Sequence, residues 1–202
     1  MRQRRYSFFQ SLMARVPPGA RILDIGGTTE YWRLMQAGSA TPSWTVVVLN
    51  REVHGGSNCA WVTSICGDAL ALPFADHTFD VAFSNSVIEH VGGFVQQTRM
   101  AQEIRRVSRR YFVQTPNRSF PLEPHFLMPG FQWWPMSLRA WLLTRRSLGW
   151  FERAESYGAA RAAVESITLL SRRDLQALFP DAQLYRERVL GLTKSLIVYA
   201  GW

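Results

Sequence analysis

Apolar residues at Phe9, Leu12, Met13 and Val16 recur at i, i+3, i+4 and i+7, the spacing of one helical face. They predict a helix over residues 1–17, which Pro17-Pro18-Gly19 stops because proline cannot continue it. Arg21-Ile22-Leu23-Asp24-Ile25 is a short apolar run before Gly26-Gly27, a buried strand followed by a tight turn. A helix around Glu30–Ala37 leads to the continuous run Thr45–Leu49, the signature of a strand covered on both faces. Beyond a glycine-rich stretch at 54–58, strands are expected at Trp61–Ile65, Phe79–Ser84 and Arg110–Gln114. Between the last two, Met100, Ile104 and Val107 form an inward helical stripe. Ser171 and Asp174 have the spacing of a capping box, opening a helix with Leu175, Leu178 and Phe179 inward. Leu184–Val189 and Ser195–Tyr199 complete the pattern as two strands joined through Gly191. This alternation predicts an α/β fold: a Rossmann-like, doubly wound, mostly parallel sheet with helices on both faces.

One segment breaks the alternation. Residues 116–165 hold five of the ten prolines and four of the eight tryptophans, and are expected to form an insertion after the fifth strand, draped over the open end of the sheet. The 202 residues suit one domain, with 1–17 as an N-terminal helix and 116–165 as an acceptor-side lid.

Composition then removes alternatives. No apolar run reaches the roughly 20 residues of a spanning helix. The basic start Met1-Arg2-Gln3-Arg4-Arg5 leads into an amphipathic stretch without a cleavage site, so no signal peptide is read and a cytoplasmic protein is expected. Cys59 and Cys66 lack the spacing of a metal cluster or redox pair, and no metal is expected. The net charge is +8, but 22 of the 23 basic residues are arginine, Lys194 being the exception. Such a bias can reflect genome composition, so the charge alone does not establish a nucleic-acid partner.

Chemistry concentrates where strands end, the edge at which open α/β sheets bind ligands. The landmarks are Asp24-Ile25-Gly26-Gly27-Thr28, Asn50 closing the second strand, Gly67-Asp68-Ala69, and Ser84-Asn85-Ser86-Val87-Ile88-Glu89-His90 after the fourth. The glycine turn allows backbone to approach a ligand closely. The string GDALALPFADHTFDVAFSNSVIEHV, taken with the first strand, resembles class I S-adenosylmethionine-dependent methyltransferases of the small-molecule, type 11-like branch, over roughly residues 20–117.

The resemblance implies S-adenosylmethionine as cofactor. Asp24 and Gly26 would lie near its methionine end, with Gly27 and Thr28 lining the turn. Asp68 would accept from the adenine amino group, Ala69 would donate its backbone N–H, and Asn85 would lie near the sulfonium. Two departures stand out. Thr28 and Glu30 replace later glycines of the family turn, and Asn50 replaces the acid that usually binds the ribose. Losing the charge from that one hydrogen bond costs ~1 kcal/mol, roughly five-fold in affinity. The site therefore reads as a variant rather than a lost one.

The resemblance also implies methyl transfer to O or N of a small or medium-sized metabolite. A general base is needed only where the acceptor keeps its proton at neutral pH. His125, in Leu122-Glu123-Pro124-His125-Phe126, and His90 are the candidates, with Glu123, Trp133 and Trp134 as tentative acceptor contacts. Glu123 and His125 could equally pin the insertion by hydrogen bonds. Glu89 reads as a solvated or capping residue, and Asp80 as an anchor for the strand start.

Tryptophans interleaved with Arg139, Arg145, Arg146 and Arg153 suit a packed lid, an apolar or anionic acceptor, or an interfacial helix on an anionic membrane. An RNA methyltransferase would explain the charge, but no appended RNA-binding module or base-flipping Asn-Pro-Pro-aromatic motif is present. A nicotinamide oxidoreductase lacks both its glycine fingerprint and a Tyr-x-x-x-Lys pair. A non-catalytic protein retaining the fold is the remaining alternative, motivated by Thr28, Glu30 and Asn50.

Overall fold

The computed structural model of the chain describes residues 2–37, 42–52 and 59–202. The glycine-rich stretch at 54–58 lies outside the described residues. Strands β1 (Arg21–Ile25), β2 (Thr45–Asn50), β3 (Val62–Cys66), β4 (Phe79–Asn85) and β5 (Ser108–Pro116) run parallel, in the order β3-β2-β1-β4-β5. After a small hairpin of β6 (Leu122–Glu123) and β7 (Met128–Pro129) comes the closing pair β8 (Gln183–Val189) and β9 (Leu192–Ala200). Strand β9 pairs antiparallel with β5 and β8 pairs with β9, giving a seven-stranded, mostly parallel sheet. Leu190 and Gly191 both take positive φ (49° and 80°), the backbone a two-residue hairpin needs to match strand twist.

Helices cover both faces. On one, Phe9, Leu12 and Met13 of α1 (Arg2–Met13) and Trp32 of α2 (Thr29–Met35) pack over Ile22, Val46, Val48, Phe83 and Phe112. On the other, Met100, Ile104 and Val107 of α3 (Phe94–Val107) join Leu23, Ile25, Leu49 and Val113. The alternation of Val46 and Val48 with Leu49 between these two cores explains the continuous apolar run of β2.

Element boundaries shift for local reasons. Helix α1 ends at Met13, ahead of the prolines, because the chain tightens into i→i+3 bonds (Arg15 N to Leu12 O, Val16 N to Met13 O). Strand β5 outruns its expected ends because it is paired on both sides, with Pro116 still in register opposite Ser195. Asp80 does anchor a strand start, accepting from the Arg21 backbone N–H at 2.9 Å. Between β5 and α6 (Arg172–Leu178), helices α4 (Met136–Arg145) and α5 (Tyr157–Glu165) build a separate cluster around Phe126, Phe131, Leu143 and Val164. The Ser171–Asp174 capping box opens α6. Among the described residues no helix is long and apolar enough to cross a membrane.

Candidate active site

The turn after β1 has almost no steric freedom. Gly26 sits at φ +75°, and a Cβ there would meet Val87 at 2.5 Å. A Cβ on Gly27 would fall 1.7 Å from Asp24 Oδ2. Asp24 is fully buried with Trp32 Nε1 donating to its Oδ2 at 2.6 Å, while Oδ1 has no hydrogen-bond partner. Burial pushes its carboxyl up to about 7. The neighbouring Thr28 caps α2, its Oγ1 accepting from Tyr31 N at 3.0 Å.

A cleft opens in front of this turn. Gly26, Asn50, Asp68 and Ala69 line it together with His90, between the apolar side chains of Leu49, Val87 and Val91. Asn50 Nδ2 donates to Gly27 O at 2.8 Å, which ties the end of β2 to the turn and leaves its Oδ1 outside that bond. Asp68 is exposed, and its Oδ1 accepts from Leu70 N at 2.9 Å. Asp24, Gly27, Thr28 and Asn85 do not line this cleft. They hold its wall: Asp24, Gly27 and Thr28 by fixing the turn, and Asn85 by accepting from Arg5 Nη1 through Oδ1.

A second, larger cleft of about 690 Å³ adjoins the end of β5 and is lined by Arg5, Ser86, Gln114, Phe120, His125 and Trp150, among others. That volume falls within the range of small-molecule pockets, about 300–1,000 Å³. Trp133 and Trp134 line neither cleft. Both precede α4: Trp133 ends a short 3₁₀ turn and is exposed, Trp134 packs on Phe131 in the separate cluster, and Trp150 occupies the cleft wall instead.

The histidines of both clefts meet. His90 closes a 3₁₀ turn (Ile88–His90) that Gln97 pins by donating to Ile88 O and Thr168 O. His125 sits in the β6–β7 loop, where Glu123 accepts from its Nδ1 and from its backbone N–H, both at 2.8 Å, and from Phe126 N. Trp150 reinforces the loop with its backbone N–H on His125 O at 2.9 Å. Glu123 thus pins the loop and orients the His125 ring at once. The two imidazoles lie edge-on, with centroids 4.9 Å apart.

Glu89 corrects its sequence reading: it is fully buried, not solvated or capping. The 3₁₀ turn places its side chain inward, where Thr115 Oγ1 donates to Oε2 at 3.0 Å and Oε1 lacks a partner. Burial raises its carboxyl to about 7, while burial and the nearby His125 lower His90.

Arg5, which sequence reasoning missed, joins α1 to this edge. Its guanidinium pairs bidentately with Glu187 of β8, donates to Gln114 Oε1 at 2.9 Å and reaches Asn85. Gln114 Oε1 also accepts from Ser86 Oγ at 2.9 Å. The available signal was its position: Arg5 stands one turn before Phe9, a charge on the apolar stripe of α1.

Residues 36–111 match the family model described as a methyltransferase domain. Over those residues the chain is similar to a methyltransferase domain. The sheet is that of the class I methyltransferase fold. A solved S-adenosylmethionine-dependent methyltransferase from Methanosarcina mazei superposes with a TM-score of 0.56 at 12% identity, covering 94% of this chain and 95% of that one. An uncharacterised protein of Mycobacterium tuberculosis is 28% identical over 130 residues, 59% of this chain and 43% of its own length. A demethylmenaquinone methyltransferase of a Mycobacterium species is 29% identical over 110 residues, 52% of this chain and 47% of its own. The chain thus spans less than half the length of these curated relatives.

Proposed function

We propose that this methyltransferase domain transfers a methyl group from S-adenosylmethionine to an O or N atom of a small or medium-sized metabolite. The observation that carries the reading is the cleft itself. Its apolar walls, Leu49, Val87 and Val91, suit a flat adenine ring, and Asp68 and Ala69 at its rim supply an acceptor and a backbone donor. Asn50 lines the same cleft as the candidate partner of a ribose hydroxyl, and a side chain at Gly26 or Gly67 would collide with Val87 or Leu49 in its wall. When bound, the cofactor supplies a methyl group already activated on a sulfonium. Asp24, Gly27, Thr28 and Asn85 keep the cradle rigid, so the chain's chief task is alignment and exclusion of water.

His90 and His125 are the proposed catalytic groups, because each lines one of the two clefts and their rings meet where the clefts adjoin. Glu123 fixes the tautomer and aim of His125. Residues 116–165 serve as the acceptor-side lid over the single domain, with His125 and Trp150 rather than Trp133 and Trp134 as its contacts.

Calorimetry tests the cofactor claim. Wild-type protein should bind S-adenosylmethionine at micromolar concentration, and Asp68→Ala should weaken binding about ten-fold, one charged hydrogen bond's worth. No binding at millimolar ligand leaves the non-catalytic alternative in its place.

Exposed side chains of the lid itself favour a second property. Trp133, Leu138 and Trp141 face solvent on and near α4, and the Arg145 guanidinium lies 5.5 Å from the Trp141 ring centroid. Aromatic groups mixed with arginine suit peripheral contact with an anionic membrane, and hence an apolar, membrane-borne acceptor. Vesicles containing phosphatidylglycerol should carry the protein to the top of a flotation gradient at low salt, and Trp141→Ser should reduce this several-fold. Absence of flotation at low salt removes membrane contact and leaves an acceptor taken from solution.

A further inference from the structure

We infer that Glu89, His90 and His125 together bind one first-row divalent cation, and that this ion holds the acceptor through two neighbouring oxygens. The inference rests on the proposed reading that the junction of the clefts faces the acceptor.

One ligand atom from each residue lies within 4.8 Å of the others. Neighbouring ligands of one octahedral ion, with bonds of about 2.1 Å, stand roughly 3.0 Å apart, a gap that side-chain torsions can close. Three further observations point the same way. Glu89 is fully buried, and its Oε1 has no hydrogen-bond partner, so an unsatisfied acceptor faces the cluster from inside. Glu123 occupies His125 Nδ1 at 2.8 Å, which leaves Nε2 for a ligand. A carboxylate behind a histidine is the usual outer partner of a metal-binding imidazole. Finally, the turn carrying Glu89 and His90 is tied to its surroundings by Gln97 and by Thr168 N on Glu89 O, so two of the three ligands are held in advance.

The donor set chooses the class of ion. Two imidazoles and one carboxylate suit zinc, iron(II), cobalt or nickel better than magnesium or calcium, which take oxygen ligands. Three protein ligands leave coordination positions open, as in catalytic rather than structural sites. Those positions face both clefts, since His90 lines one and His125 the other. An acceptor offering two adjacent oxygens would fill them, and the ion would make its hydroxyl easier to deprotonate. The acceptor class is therefore a vicinal diol, an ortho-dihydroxy aromatic or an α-hydroxy carbonyl compound.

Co²⁺ titration of chelator-treated protein, followed by visible absorption and by equilibrium dialysis, tests the site. The expected result is saturable binding of one ion per chain. Weakening of at least ten-fold is expected in His90→Asn and in His125→Asn, and about ten-fold in Glu123→Gln. Because His90 is exposed, its variant keeps the fold, which circular dichroism verifies. Absence of saturable binding, or equal binding by wild type and the double histidine variant, overturns the inference. Catechol should shift the Co²⁺ spectrum of wild-type protein where phenol does not, and failure of both to shift it overturns the acceptor class. Calorimetry with S-adenosylmethionine separates the two levels. Cobalt binding without cofactor binding upholds the ion site against the methyl-transfer reading, and cofactor binding without cobalt overturns the ion alone.

Discussion

Glu187→Leu should cost about 3–5 kcal/mol of folding stability, the penalty for leaving one member of a buried ion pair alone. The Arg5 and Glu187 side chains are only 10% and 9% exposed, so the pair is largely desolvated. For a chain of this size, each kcal/mol moves Tm by about 2–4 °C, so a fall of about 10 °C is expected in a thermal melt. The consequences extend beyond stability. Arg5 also donates to Gln114, whose Oε1 holds Ser86 at the exit of β4. An Arg5 side chain without its counter-charge must seek water, which pulls α1 away from the edge carrying both clefts. Cofactor affinity should fall with stability. The double variant Arg5→Leu/Glu187→Leu removes both charges and should recover most of the lost stability, since apolar replacements of buried pairs are often neutral or better. A single variant within 1 kcal/mol of wild type would mean the pair is solvated in solution.

Gly27→Ala is the second large effect. The new methyl would lie 1.7 Å from Asp24 Oδ2 and 2.3 Å from its Cγ, far inside van der Waals contact. Asp24 has nowhere to retreat. Its partner Trp32 is fully buried and ringed by Tyr6, Phe9, Tyr31, Trp44 and Phe83, with centroids 5.3–6.3 Å away. Forcing a methyl into such a core costs about 1–3 kcal/mol. The relief available is displacement of the turn, which breaks the Asn50–Gly27 bond and misplaces the cleft wall. Cofactor affinity should therefore drop by more than about ten-fold, measured by calorimetry, together with the loss of stability. Gly19→Ala is the control: its φ is +85° but nothing lies within 4 Å, so it meets backbone strain without a clash. If Gly27→Ala keeps both stability and affinity, the turn is looser than its packing implies. Asp24→Ala in the same chain should relieve the clash and restore part of the stability.

These two variants mark how much of the site was legible in advance. Gly26-Gly27 could be read as a turn because glycine is the residue that tolerates positive φ. What could not be read is why Gly27, at an ordinary φ, must lack a side chain. The cause is a carboxyl three residues earlier, folded back over it. Asn50, Asp68 and Ala69 were legible as cleft residues because they end strands of a parallel sheet, where geometry puts ligands. Asp24, Thr28 and Asn85 share that edge, yet their side chains support the cleft from behind. Strand alternation sends Asp24 to the α1–α2 face, while Asn85 is taken by Arg5.

The sequence by itself determined the order of strands and helices outside residues 116–165, the two-sided burial of β2, the capped start of α6 and the edge of the sheet that carries chemistry. Each of these follows from local spacing and from residue types whose backbone preferences act over a few positions. Tertiary structure alone decided the pairing of Arg5 with Glu187 across 182 residues, the burial of Glu89 and the meeting of Glu89 and His90 with His125. Trp150 reached the cleft wall in the same way, ahead of Trp133 and Trp134. A side chain's partner across the fold depends on register, on sheet pairing and on how a turn aims it. Those quantities exist only once the whole chain has packed, and local periodicity carries no record of them.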